Sequence, residues 1–154
     1  MTEVDRINDQ LERAQNGEAW HGPSLREALE GVTAAQAAAH AIPQAHSIWE
    51  LVSHIIAWEQ IARRRLGGET LTEIPEEMDF PAVSDKSNAS WQATLQALTE
   101  SNQSLRAAVR QIEDAQLEVI VPGTKYSNYV LLHGVIQHDL YHAGQIAVLK
   151  KSFV

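Results

Sequence analysis

The sequence predicts an all-α fold, a four-helix bundle with a long crossover connection. Four segments carry apolar residues at three- and four-residue spacing, and no segment alternates with the period of two that marks a half-buried strand. Ser or Thr also stands three residues before Glu or Gln at several segment starts, the pattern of a helix capping box. At 154 residues the chain is expected to form a single domain over 1–154. A chain of this size buries roughly two-thirds of its unfolded surface and so owns a full core.

Val4, Ile7, Leu11 and Ala14 predict a first helix reaching Asn16, with Gly17 as its stop. Two further starts follow, Ser24 with Glu27 and Thr33 with Gln36, so short helical pieces are expected there. Ser47 with Glu50 repeats the signature after Pro43. Ile48, Leu51, Val52, Ile55, Ala62 and Leu66 then carry a long helix to Gly67 and Gly68. Residues 67–88 hold two glycines, two prolines and several carboxylates, and are expected to cross the bundle end as a connection without packed structure. Trp91, Leu95, Leu98, Leu105, Val109 and Ile112 mark the next helix, interrupted at Asn102 where the stripe calls for an apolar side chain. The last helix starts at Ser127. It runs through Val130, Leu131, Val135, Ile146 and Leu149 to Lys150 and Lys151, whose charge suits the C-terminal end of the dipole. Stripes of this kind bury most economically in an antiparallel bundle.

Twelve basic against twenty acidic residues give a formal charge of −8, which opposes the phosphate attraction behind most nucleic-acid binding. Neither DNA nor RNA is an expected partner. The absence of cysteine excludes disulfides, thiolate ligands and a cysteine nucleophile, and fits a cytoplasmic location. The first residues are polar and acidic, and no window approaches about eighteen uninterrupted apolar residues, so no membrane association is expected.

His138 and His142 lie four apart within the apolar pattern of the last helix. Four residues return a helical side chain to within roughly 40° of its starting direction, so both imidazoles face one way, along the stripe of Leu131, Val135 and Leu149. That pair suggests a metal site, and His54 in the second long helix is the best third ligand. Three imidazoles with an open position define a catalytic rather than a structural ion. The competing reading is three neutral, hydrogen-bonded core histidines. His133 lies about 140° and 180° from the pair on the wheel and is expected at solvent or a partner surface.

The segments HSIWELVSHIIAWE and LLHGVIQHDLYHAGQIAVLKK, together with WHGPSLREAL and the acidic connection in the same order, resemble the DinB-like (YfiT-like) family over nearly the whole chain. The resemblance implies a four-helix bundle, often a homodimer, holding a divalent ion, zinc first and nickel second. The family's ligand positions fall on His54, His138 and His142. It also implies a class of reaction, since some members are S-transferases that use low-molecular-weight thiols such as bacillithiol.

A thiol entering the open position of such an ion would be deprotonated and nucleophilic at neutral pH. The leading expectation is therefore an enzyme transferring a thiol to a small electrophile. A metal-water hydrolase and a non-enzymatic metal-binding or dimeric interaction protein are the alternatives. Tyr141 and Gln145 are candidate helpers beside the pair. Glu50 is read as the capping-box glutamate in preference to a partner for His54, and Glu59 as half of an ion pair with an arginine or else a carboxyl of raised pKa. Trp20, Trp58 and Trp91 can wall a pocket or pack in the core. His21, His40 and His46 receive no role, and residues 17–24, 67–88 and 122–128 are expected at the pocket mouth.

Overall fold

The computed structural model describes residues 1–153. Its helices are α1 (Glu3–Asn16), α2 (Leu25–Leu29), α3 (Ala34–Ala38), α4 (Ile48–Leu66), α5 (Glu76–Asp79), α6 (Asn88–Val109), α7 (Asp114–Leu117) and α8 (Asn128–Lys150), followed by a 3₁₀ turn at Lys151–Phe153. Among the described residues no strand forms, and the one pairing is an isolated bridge between Ile120 and Ser127. None of the described helices is long and apolar enough to cross a membrane.

Each long helix begins at a hydroxyl residue that accepts a backbone N–H of its first turn. Thr2 caps α1, Ser47 caps α4, Ser87 caps α6 and Ser127 caps α8. Such caps contribute about 1 kcal/mol each. The boxes expected at Ser24 with Glu27, Thr33 with Gln36 and Ser47 with Glu50 are all formed.

α4 packs on α6 and α8, while α1 packs on the same two helices from the opposite side, so α1 and α4 sit on one diagonal of the bundle. The core falls into two clusters. Trp49, Ile55, Trp91, Leu98 and Ile146 belong to one, and Leu11, Ala62, Leu105, Val109 and Leu132 to the other. Reading these clusters along the chain gives the directions. The N-terminal halves of α4 and α6 lie together, whereas α8 meets α4 in reverse.

The bundle is thus not uniformly antiparallel, as the sequence suggested, because α4 and α6 run parallel. The connection between them must return the full length of the bundle instead of crossing its end. On the way it forms α5, where Pro75 supplies an extended N-cap and three carboxylates occupy the positive end of the dipole. A second unexpected helix, α7, follows the end of α6 at Val109, so Ile112, the last residue of the predicted stripe, lies beyond the helix.

Between the two apolar clusters lies a polar layer. Glu59 of α4, Ser101 and Asn102 of α6, and Asp139 and His142 of α8 are all buried. Asn102, the break in the apolar stripe of α6, is explained here: its Nδ2 donates to Glu59 Oε1 at 2.9 Å, and Ser101 Oγ donates to Glu59 Oε2. Burial first, and then the nearby Asp139, push the Glu59 carboxyl well above its ordinary range, and burial does the same to Asp139. Of the two outcomes foreseen for Glu59, the ion pair with an arginine does not form. The raised pKa holds.

Candidate metal centre

α4 presents His54, Trp58, Ala62 and Arg65 along one stripe, at spacings of four, four and three. α8 presents His138 and His142 one turn apart against the upper end of that stripe. The structure brings the three imidazoles together: His138 Nε2 lies 2.9 Å from His54 Nε2 and 3.1 Å from His142 Nε2. Their outer nitrogens are engaged elsewhere. His54 Nδ1 is 2.7 Å from the backbone oxygen of Asp79, and His142 Nδ1 is 2.6 Å from Gln145 Oε1.

Those outer contacts fix the tautomers, because a carbonyl or amide oxygen only accepts. With Nδ1–H donating outward in His54 and His142, both inner nitrogens present lone pairs. His138 can offer a proton to one of them at a time, so the cluster is always short of a donor. A cation resolves this deficit. Burial is the largest cause lowering the pKa of all three, with His142 brought to about 4, so the rings are neutral at pH 7 and ready to ligate.

His138 carries a further sign of fit. Its Nδ1 is buried without a hydrogen-bond partner, and the nearest carboxylate, Asp139 Oδ1 at 3.7 Å, is itself unpartnered. An imidazole that ligates through Nε2 usually donates its other N–H to such an oxygen. The three ligand atoms lie within 4.8 Å of one another, and together they can bind one metal ion. Three neutral nitrogen donors suit zinc, nickel or copper rather than magnesium or calcium.

Phe80, which follows α5, stacks on His54 at 4.1 Å and on His46 at 3.9 Å. Asp79 Oδ1 accepts from Trp58 Nε1 at 2.7 Å, so the returning connection clamps both His54 and Trp58. Two cavities lie near the histidines, of which one is lined by His138 and the other comes no nearer than Gln145, the partner of His142. One of about 280 Å³ runs from His138 past Trp58 and Leu131 to Arg65 and Tyr126. Another of about 490 Å³ is lined by His46, Leu51, Tyr141 and Gln145. A larger space of about 930 Å³ beside α2 and α6 touches none of the three histidines.

Other residues fall partly where the sequence put them. Gln145 orients His142, while Tyr141 is exposed and its hydroxyl meets Gln145 Nε2 at 3.4 Å. Glu50 is the capping-box glutamate, accepting from Ser47 N at 2.8 Å, and its other neighbours are His40 and His46 instead of His54. Trp58 walls the site, Trp91 is a core residue donating to Val32 O, and Trp20 is fully exposed. His133 is half-buried, with the Tyr129 ring at 4.3 Å. His46, given no role, packs at the site through Phe80. Residues 17–24 line neither of the two nearby cavities, whereas Tyr126 from 122–128 lines one.

Asp79, Phe80 and Asp139 were missed. Only Asp139 had a usable signal, a carboxylate adjacent to a histidine on a buried stripe.

A bundle with a histidine cluster between facing helices defines a class of helical proteins able to hold a metal in the core. Residues 19–146 match the DinB superfamily, and the chain belongs to that family. A crystal structure described as a conserved protein of locus from Enterococcus faecalis has the same fold. It has a TM-score of 0.73 at 19% identity, with 99% of this chain and 97% of that chain covered. No curated protein matches the chain.

Proposed function

We propose that this protein is a divalent-metal-dependent enzyme that transfers a low-molecular-weight thiol to a small electrophile. The observation that carries the metal is the convergence of the Nε2 atoms of His54, His138 and His142. Bound there, a divalent cation supplies Lewis acidity, lowering the pKa of a thiol or water at its open position. Zinc is the first choice and nickel the second.

The chain's own residues set the geometry. Asp79 and Gln145 hold two rings by their outer nitrogens, and Phe80 and Trp58 exclude water from the face of His54. Transfer between two molecules needs two binding spaces; one cavity reaches the cluster at His138, and a second lies behind Gln145, the partner of His142. A hydrolase, the second reading, needs only one.

The test is a turnover assay with zinc-loaded protein, 1-chloro-2,4-dinitrobenzene, and glutathione, cysteine or bacillithiol in turn, beside the His142→Ala variant. Thiol-dependent product from wild type alone supports the proposal. Hydrolysis of p-nitrophenyl acetate, run alongside without thiol, in the absence of any thiol-dependent product would move the reading to a hydrolase.

A further inference from the structure

Arg65 is buried, at 7% exposure, yet its charge has no carboxylate partner among the described residues. Its Nε and Nη2 donate to the backbone oxygen of Leu71, and its Nη1 donates to the Tyr126 hydroxyl at 3.0 Å. These contacts leave two of the five guanidinium N–H groups unused. Arg6, Arg13, Arg64 and Arg106 each pair with an acid, and the other arginines without one, Arg26, Arg63 and Arg110, are exposed, so Arg65 alone among the described residues is both buried and unpaired. An arginine cannot shed its proton to relieve burial. The Trp58 ring, 5.6 Å from the guanidinium carbon, offsets only part of the cost.

The same side chain lines the cavity that opens beside His138, with Trp58, Ala62, Leu131 and Val135 as apolar walls between. His138 and Leu131 are seven residues apart on α8, which sets about 10 Å between the two ends. From this we infer that the cavity takes a small molecule with an apolar body ending in a carboxylate. The carboxylate sits on Arg65 and the reacting end at the histidine cluster. The inference rests on the proposed metal-dependent reaction and names the substrate class for it. A guanidinium with two free N–H groups matches a carboxylate in charge and in geometry. A neutral hydroxyl can accept from the same N–H groups but leaves the guanidinium charge unpaired.

The test is isothermal titration calorimetry of zinc-loaded protein with octanoate and, separately, 1-octanol, which share length and differ in the charged end. Octanoate is expected to bind about tenfold more tightly, the worth of one charge-assisted hydrogen-bond set. Arg65→Met, checked for folding by circular dichroism, is expected to erase the preference. Gly134→Leu provides an independent arm, because Gly134 lines the cavity and a Cβ built there meets nothing within 4 Å. A folded Gly134→Leu protein is expected to lose binding of both probes, and unchanged binding would overturn the cavity assignment.

His138→Ala separates the two claims. An octanoate preference that survives there but vanishes in Arg65→Met supports the inference. A preference that vanishes in His138→Ala and survives in Arg65→Met means the carboxylate binds the metal, and overturns it. No preference in wild type also overturns it. A wild type that takes up no metal but keeps the Arg65-dependent preference sinks the metal reading and leaves this pocket standing.

Discussion

Gln145 Oε1 stands 2.6 Å from His142 Nδ1, one turn along α8, and so decides which nitrogen of His142 faces the cluster. Replacing it with leucine keeps the helix and removes the acceptor. Gln145→Leu is expected to weaken metal affinity about 10–100-fold, the usual effect of losing an orienting partner. Gln145→Glu retains an acceptor and is expected to stay near wild type. Competition against a zinc-chelating dye reads both.

Glu59 gives a pH dependence with a definite sign. Its carboxyl titrates well above the ordinary value in the folded protein, chiefly through burial, so between those two values the folded state binds more protons than the unfolded. Stability from this group is therefore present in acid and lost as pH rises through that window. Glu59→Gln can keep both partners, accepting from Asn102 and donating to Ser101 Oγ, and carries no charge. It is expected to stabilise the protein by about 1 kcal/mol or more at pH 8, a rise of about 2–4 °C in melting temperature, with the gain shrinking toward pH 5. Thermal melts across that range check it. A gain independent of pH would contradict the assignment.

Gly123 has φ +78°, and a Cβ built there would lie 2.5 Å from Thr72 Cγ2 and 2.9 Å from Thr70 Cγ2. The close approach brings the start of the connection against the turn that carries Tyr126. Gly123→Ala is expected to cost about 1–3 kcal/mol through backbone strain and overlap, and chemical denaturation measures it. Because Leu71 and Tyr126 both hold Arg65, the variant is also expected to weaken octanoate binding.

What the sequence disclosed follows from which interactions are local. Capping boxes, helix stripes and the four-residue step between His138 and His142 are local, and each is legible. Asn102 was visible as an anomaly, and its cause, Glu59, was visible as another. Their hydrogen bond spans 43 positions and joins them only in the fold. Periodicity carries no direction, so the parallel course of α4 and α6 was invisible, and with it the return path that lays Asp79 against His54. Arg65 stands beside Arg63 and Arg64 in the last turn of α4, where cations are ordinary, and nothing local marks it out. Its burial depends on where Leu71 and Tyr126 arrive.

The most direct measurement is metal content by plasma mass spectrometry on protein purified without a metal-affinity step, wild type beside His138→Ala. The convergence of three neutral imidazoles predicts about one equivalent of divalent metal in wild type and its loss in the variant, with zinc or nickel restoring wild type after chelation. A folded wild type that holds no metal and refuses added zinc and nickel would contradict the account and leave the three histidines as core residues.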